Sequence, residues 1–243
     1  MPIAIVSDVH SNLEALDAVL RDAEESGGVD EVWCLGDIVG YGPEPSRVIA
    51  ALRDRRTVAV AGNHDRAACG LLSLEEFNPY AGAAVRWTSE QLSRDEADYL
   101  SSLPLTRTSG DFTLVHGSLR APEWEYLLEP DQAEAHFALQ MTRYSLIGHS
   151  HLTFHVEERG RSPHFAPNRD RDTVALGEQR LILNPGSVGQ PRDGDSRSAY
   201  ILYDRDAALV TFRRVEYDIR ATQRKMCDAG LDQWLIDRLA VGR

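Results

Sequence analysis

No apolar run in this 243-residue chain approaches the ~20 residues needed to cross a bilayer. The opening MPIAIVSD also has neither the basic stretch nor the apolar core of a signal peptide. A cytoplasmic protein with no membrane partner is therefore expected. Cysteine is scarce. Cys34, Cys69 and Cys227 are odd in number and lack C-x-x-C spacing, which argues against a disulfide framework and a structural zinc site. Cys34, inside the apolar run VWCL, reads as a buried, inert thiol. None of the three is followed by arginine six positions later, where Gly40, Glu75 and Gln233 stand instead, so a phosphatase working through a cysteine phosphate is excluded. Lys225 is the only lysine, and a P-loop G-x-x-x-x-G-K-[ST] cannot be built. Positive charge is also short: 26 basic against 38 acidic residues leave a net charge of −12, which repels extended polyanions and makes long nucleic acid a poor partner.

What is present is a hydrophobic fraction of 42%, enough for a sizeable core. With no repeat or linker visible, one domain over residues 1–243 is expected. Five runs rich in β-branched and apolar residues read as buried strands: Ile3 to Val6, Val32 to Leu35, Thr57 to Ala61, Phe112 to Val115 and Tyr144 to Ile147. They continue as SDVH, GDIVG, GNHD, HGS and GHSH. Asp, Asn or His thus follows each strand within three residues. In open α/β sheets the ligand site lies beyond the carboxyl ends of the strands, where these residues would gather.

Helix-like segments Leu13 to Glu25 and Pro45 to Arg53 separate the first three strands, giving β-α-β-α-β order and parallel pairing. Ser11 and Glu14 have the spacing of a capping box for the first helix, as do Ser93 and Glu96 further on. A helical insertion is expected around 66–102. Strands are expected at Thr153 to Glu157, Leu181 to Leu183, Tyr200 to Tyr203 and Leu209 to Arg213, and an amphipathic helical segment around 219–239. Residues 158–180 are polar with two prolines, and read as a surface hairpin or a lid. A homo-oligomer formed through the insertion or the C-terminal segment is compatible with this pattern.

The strand ends collect Asp8, His10, Asp37, Asn63, His64, Asp65, His116, His149 and His151, oxygen and imidazole donors with no thiolate. That set suits Mn²⁺, Fe, Zn²⁺, Co²⁺ or Ni²⁺ rather than the all-oxygen cage of Ca²⁺. It exceeds what one ion needs, and a shared carboxylate can hold two ions ~3.5–4 Å apart. If GHSH is extended, His149 and His151 point the same way about 7 Å apart and can face one point.

In order, the motifs are D-x-H, G-D-x-x-G, G-N-H-D, H-G and G-H-x-H, and this series resembles the calcineurin-like metallophosphoesterase superfamily. It looks most like the small bacterial phosphoesterases, relatives of symmetrical diadenosine tetraphosphatases and serine/threonine phosphatases. The tail from NPGSVGQPRDG is similar to that branch too. The resemblance implies an α/β (α+β) four-layer αββα sandwich. It also implies two divalent transition-metal ions, one held by Asp8, His10 and His151, the other by Asn63, His116 and His149, with Asp37 bridging. A metal-bridging hydroxide would attack a small phosphorylated substrate. His64 would protonate the leaving oxygen or steady the phosphoryl group, and Asp65 would orient its ring.

Motif one is SDVHS rather than GDIHG, and Val60 and Ala61 precede GNHD where serine/threonine phosphatases have LRGNHE. A phosphoprotein substrate is disfavoured, while phosphomonoester, phosphodiester and nucleotide pyrophosphate stay open. Arg66, Arg120 and Arg192 flank the motifs and are candidates to clamp phosphate oxygens. Asn12 and Tyr41 are candidates for substrate contact, with helix capping and loop packing as their ordinary roles. His136, His155 and His164 lie outside the motifs and are expected not to be ligands. The alternatives are a phosphodiesterase or nucleotide pyrophosphatase of the same fold, and a non-catalytic metal-binding scaffold like the retromer subunit of that superfamily. The presence of His64 disfavours the scaffold.

Overall fold

The computed structural model describes residues 2–160 and 162–243. The chain runs β1 (Ile3–Val6), α1 (Leu13–Glu25), β2 (Glu31–Cys34), α2 (Pro45–Arg53) and β3 (Thr57–Ala59), with β1, β2 and β3 parallel as expected. Three helices follow, α3 (Asn63–Ala68), α4 (Pro79–Gln91) and α5 (Arg94–Ser102), with a short 3₁₀ turn at Leu74–Glu76. Next come β4 (Thr106–Ser109), β5 (Phe112–Val115), α6 (Pro130–Leu139), β6 (Tyr144–Leu146), β7 (Thr153–Arg159), β8 (Ser162–Pro167), β9 (Thr173–Ala175) and β10 (Leu181–Pro185). The last elements are β11 (Ser198–Asp204), β12 (Leu209–Val215), α7 (Ile219–Asp228) and α8 (Gln233–Arg238).

The strands form two mixed six-stranded sheets in the orders β3-β2-β1-β11-β12-β9 and β4-β5-β6-β10-β7-β8. Alternation along each strand divides its side chains between two faces. Ile3, Ile5, Trp33 and Leu35 of the first sheet thus meet Phe112, Leu114, Leu146 and Leu183 of the second in a buried layer. The opposite faces pack under helices: Ala4, Val6 and Val32 under α1 and α2, and Val115, Val156 and Ile182 beside Ala133 and Phe137 of α6. The result is the expected αββα sandwich. Val85 and Leu100 of the helical stretch join the core under α1 and α2.

Four features depart from the sequence reading. Asn12, not Ser11, caps α1, its Oδ1 accepting from the Ala15 N–H at 3.2 Å. The cap moves on one residue because Ser11 takes the left-handed conformation, φ +54°, in the turn that carries Asp8 and His10. Glu14 is engaged instead by Thr222 and, with Glu44, by the lone lysine, Lys225, which ties α7 to the body of the protein. Within residues 158–180 the expected surface hairpin forms between β7 and β8, at the edge of one sheet, but the segment then crosses to add β9 to the edge of the other sheet. The C-terminal segment is two helices, because the chain turns after Ala229 and the Asp232 side chain starts α8 by accepting from the Trp234 N–H. The edge strand β4 and helix α6 had no strong apolar period and were not anticipated; β4 is mostly exposed. The Ser93–Glu96 capping box forms at α5.

No helix among the described residues is long and apolar enough to cross a membrane.

Candidate metal centre

The five strand-end motifs meet at one edge of the sandwich; main-chain bonds join the first to the second and the fourth to the fifth, and the Asp37 and Asp65 side chains join the second to the third. The Asp8 N–H donates to Gly36 O, His10 to Asp37 O, Ser11 to Ile38 O, Gly148 to His116 O and Gly189 to Asp8 O, at 2.7–3.1 Å. The turns are tight. Asp8, His10, Ser11, Asp37, Tyr41, His149 and His151 all have φ between +49° and +65°, a region that costs a non-glycine residue about 1–2 kcal/mol. Among the described residues, the other non-glycine positions with positive φ are Arg171 and Ala208. Such strain persists only where surrounding structure imposes it, and it gathers at functional sites. GHSH is accordingly not extended: His149 and His151 sit in left-handed turns and aim at two different groups of side chains.

The first group is Asp8, His10 and His151. His151 Nε2 lies 3.2 Å from Asp8 Oδ1 and 3.2 Å from His10 Nε2. The second is Asp37, His116 and His149, with His116 Nε2 3.3 Å from Asp37 Oδ2 and 3.1 Å from His149 Nδ1. One oxygen joins the two groups, since Asp37 Oδ2 is also 3.6 Å from His10 Nε2. Donors ~2.0–2.2 Å from a first-row ion stand roughly 3.0–3.6 Å from one another, the spacing found here. Asn63 Oδ1 and Asp8 Oδ1 are buried with no hydrogen-bond partner among the described residues, an arrangement that is costly unless something else occupies them. The donors fit two cations.

Each histidine of these groups has its remaining ring nitrogen on a main-chain carbonyl: His10 Nδ1 on Val39 (3.1 Å), His116 Nδ1 on Leu35 (2.9 Å), His151 Nδ1 on Gln190 (2.6 Å) and His149 Nε2 on Trp124 (3.2 Å). A donor N–H held there leaves the inward nitrogen as a lone pair, the tautomer a metal ligand needs. No sequence signal marks these partners, because any residue supplies a carbonyl.

The electrostatics agree with that assignment. Burial opposes ionisation of Asp8 and Asp37, yet the neighbouring histidines, His151 for Asp8 and His116 for Asp37, hold both carboxyls well below the usual carboxylate range. Burial pushes His10 and His151 down, and takes His149 to about 3 with the help of His116. His116 is the exception. Burial would lower it, but Asp37 and Asp8 raise it to about 9, so the two carboxylates attract a cation at this point even when it is only a proton.

His64 lies over the first group, its ring 4.8 Å from that of His10 and packed by Tyr41 and Phe77. Its backbone N–H donates to Asp37 Oδ1 at 2.9 Å, and its buried Nδ1 has no partner among the described residues. Burial takes its pKa to about 4. Asp65 does not orient this ring by a hydrogen bond. Its two oxygens accept from the Val39 and Gly62 N–H groups, both at 3.0 Å, which caps α3 and locks the second motif to the third. Burial, followed by the nearby Asp37, raises its pKa to about 7.

Asp37, Asn63, His64, His149 and His151 line a cavity of about 150 Å³ whose wall also includes Tyr41, Phe77, Trp124, Tyr126 and Arg192. Tyr126 stacks on His149 with ring centroids 4.1 Å apart. Of the three arginines expected to clamp phosphate, only Arg192 is in this wall. Arg66 is ion-paired with Glu123 and Arg120 with Glu125, contacts that fasten the segment bearing Trp124 and Tyr126. Asn12 caps α1 and also donates to Gly189 O. Tyr41, expected to pack in a loop or touch substrate, does the first and stands in the cavity wall. His136 is a satisfied core residue between the Leu119 N–H and Ser145 Oγ, and His155 bonds Asn168.

The first and last motifs approach so closely that a Cβ on Gly148 would stand 1.9 Å from Ser7 Oγ and 3.0 Å from Asp8 Oδ2. Gly148→Ala must therefore displace the Ser7 hydroxyl and break its hydrogen bond to Asp8. Overpacking of this kind costs about 1–3 kcal/mol. Calorimetry should show the melting temperature lower by roughly 2–10 °C.

The model of the calcineurin-like phosphoesterase superfamily domain matches residues 1–207. The chain belongs to the calcineurin-like phosphoesterase superfamily. This member is 38% identical over 247 aligned residues to an uncharacterized protein of Methanocaldococcus jannaschii, covering 99% of this chain and 98% of that one. It is 31% identical to a symmetrical bis(5'-nucleosyl)-tetraphosphatase of Aromatoleum aromaticum over 76% of this chain and 65% of the relative. Among solved structures, a metallophosphoesterase from Sphaerobacter thermophilus superimposes with a TM-score of 0.90 at 45% identity, covering 100% and 99% of the two chains.

Proposed function

We propose that this superfamily member is a dinuclear-metal phosphohydrolase acting on a small phosphorylated substrate. The observation that carries this reading is Asp37 Oδ2, placed 3.6 Å from His10 Nε2 and 3.3 Å from His116 Nε2, at the junction of two donor groups. In this reading Asp8, His10 and His151 hold one ion, Asn63, His116 and His149 the other, and Asp37 both. The donor chemistry allows Mn²⁺, Fe, Zn²⁺, Co²⁺ or Ni²⁺. When bound, two such ions supply Lewis acidity, drawing water towards ionisation near neutral pH and balancing charge on the phosphoryl oxygens.

The chain's own residues do the rest. The cavity admits a phosphoryl group and, at about 150 Å³, leaves the bulk of the substrate at its mouth. Phe77, Trp124 and Tyr126 limit water around it. His64, kept neutral by burial, presents an N–H to a phosphoryl or leaving oxygen, and acts as a general acid only as the imidazolium, a form that an anionic phosphoryl group beside it favours. Arg192, in the same wall, adds positive charge.

The test is hydrolysis of a chromogenic phosphomonoester and the matching diester by protein loaded with Mn²⁺. After exhaustive chelation, turnover should fall to background and return when metal is added back. Activity that survives chelation would refute the reading. The likeness to a dinucleotide tetraphosphatase supports including a nucleotide pyrophosphate among the substrates tried. A cytoplasmic site of action accords with three unpaired cysteines.

A further inference from the structure

Tyr126, in the wall of the metal cavity, belongs to the irregular stretch between β5 and α6, and that stretch is pinned on several sides. Glu123 pairs with Arg66 and Glu125 with Arg120, while the Trp124 carbonyl accepts from His149 Nε2 at 3.2 Å. The Trp124 and Glu125 N–H groups both donate to Ala121 O at 3.2 Å, and the Trp124 ring meets Phe77 edge to face with centroids 5.0 Å apart. A segment fixed in this way loses little freedom when a ligand lies on it.

The ring at the end of this stretch is used on one face only. That face stacks on His149, 12° from parallel with centroids 4.1 Å apart, and no second ring or guanidinium among the described residues covers the other. Tyr126 is 43% exposed. With one face against His149, the exposure falls on the opposite face, the ring edges and the hydroxyl. Tyr80 and Trp234, the other two exposed aromatic side chains among the described residues, stack on each other and are not in the cavity wall.

His149 belongs to one of the two donor groups, so a flat ring laid on the free face of Tyr126 is the third layer of a stack that begins on a metal donor. Its centre would stand roughly 4.5–7 Å from that of Tyr126. The cavity, at about 150 Å³, holds the phosphoryl group and leaves the rest of the substrate at the mouth, where Tyr126 is exposed. Stacking of this kind accepts any flat ring, whatever hydrogen bonds its edge makes.

We infer that Tyr126 is a specificity-determining residue, stacking on a flat aromatic ring, aryl group or nucleobase, in the non-phosphoryl part of the substrate. The inference rests on the phosphohydrolase reading for the group held at the ions. Arg66 and Arg120 then serve the substrate at one remove, by fastening the stretch that carries the ring.

The experiment is calorimetric titration of the Mn²⁺-loaded protein with benzylphosphonate and cyclohexylmethylphosphonate, which share a carbon skeleton, differ in flatness and have no ester to hydrolyse. The benzyl compound should bind about fivefold more tightly, the scale of one aromatic pair beyond its buried area. Tyr126→Phe should keep that ratio, because the ring face and not the hydroxyl makes the contact. Tyr126→Leu and Tyr126→Gln should each bring it to one, and a general weakening from altered packing on His149 cancels in the ratio. Adenine carrying a phosphonopropyl chain, set against propylphosphonate in the same proteins, separates the two sources of ring: a Tyr126-dependent gain there marks a nucleobase, and one in the benzyl pair alone an aryl group. Equal affinities within both pairs, or a gain that survives Tyr126→Leu and Tyr126→Gln, would overturn the stacking role. If the phosphohydrolase reading alone fails, ester hydrolysis is absent while the Tyr126-dependent gain persists.

Discussion

Replacing Asp37 by asparagine should empty both metal positions together. The side chain is buried and its Oδ2 lies within 3.6 Å of a histidine nitrogen of each donor group, so both ions lose an anionic ligand at once. The amide still accepts the His64 N–H through Oδ1, so the fold should stay intact in circular dichroism. Elemental analysis after dialysis should find two ions per unmodified chain and almost none in the variant. Turnover at fixed metal concentration should fall by about 10²–10³-fold at the least, the scale of losing one group that balances charge in a transition state. A variant that keeps one ion would show that Asp37 serves a single site.

His64→Ala should act differently, lowering kcat by roughly 10²–10⁴-fold with both ions retained. The distinction matters because His64 also lies within reach of His10 and Asp37, a third grouping of donors that overlaps the first two. If His64 were a ligand, the variant would lose an ion along with activity. If it only presents an N–H to the substrate, metal content stays at two and the loss is in turnover. Unchanged kcat would remove His64 from the mechanism altogether.

How much of this was legible before any fold was known can be judged residue by residue. The strands ending at Val6, Cys34 and Val115 were visible because buried parallel strands are continuous apolar runs, and the polar residues just beyond them had no structural claim on such positions. That was enough to gather Asp8, His10, Asp37, Asn63, His116, His149 and His151. The backbone shape between them was not legible. Left-handed conformations at Asp8, His10, Asp37, His149 and His151 are imposed by hydrogen bonds from other loops, and local sequence carries little trace of such long-range constraint. The same blindness misplaced the α1 cap on Ser11. Pairing is hidden as well: Arg66 and Arg120 read as phosphate clamps in the sequence, and the structure sets Glu123 and Glu125 beside them.

The hydrogen bonds among the strand-end loops set which parts of the molecule are free to vary. The loop from Asp8 to Ser11 is bonded to Gly36, Asp37 and Ile38, and its Asp8 carbonyl accepts from Gly189, so a shift in one turn moves donors supplied by the others. Retuning the cage by altering a single loop is therefore barred mechanically. The cavity wall is tied more lightly: Phe77, the stretch with Trp124 and Tyr126, and Arg192 stand on three separate segments, joined to the cage through the His149 bond to the Trp124 carbonyl and the Arg192 N–H bond to the His151 carbonyl. Substrate preference is therefore more readily altered through those wall segments than through the donors themselves.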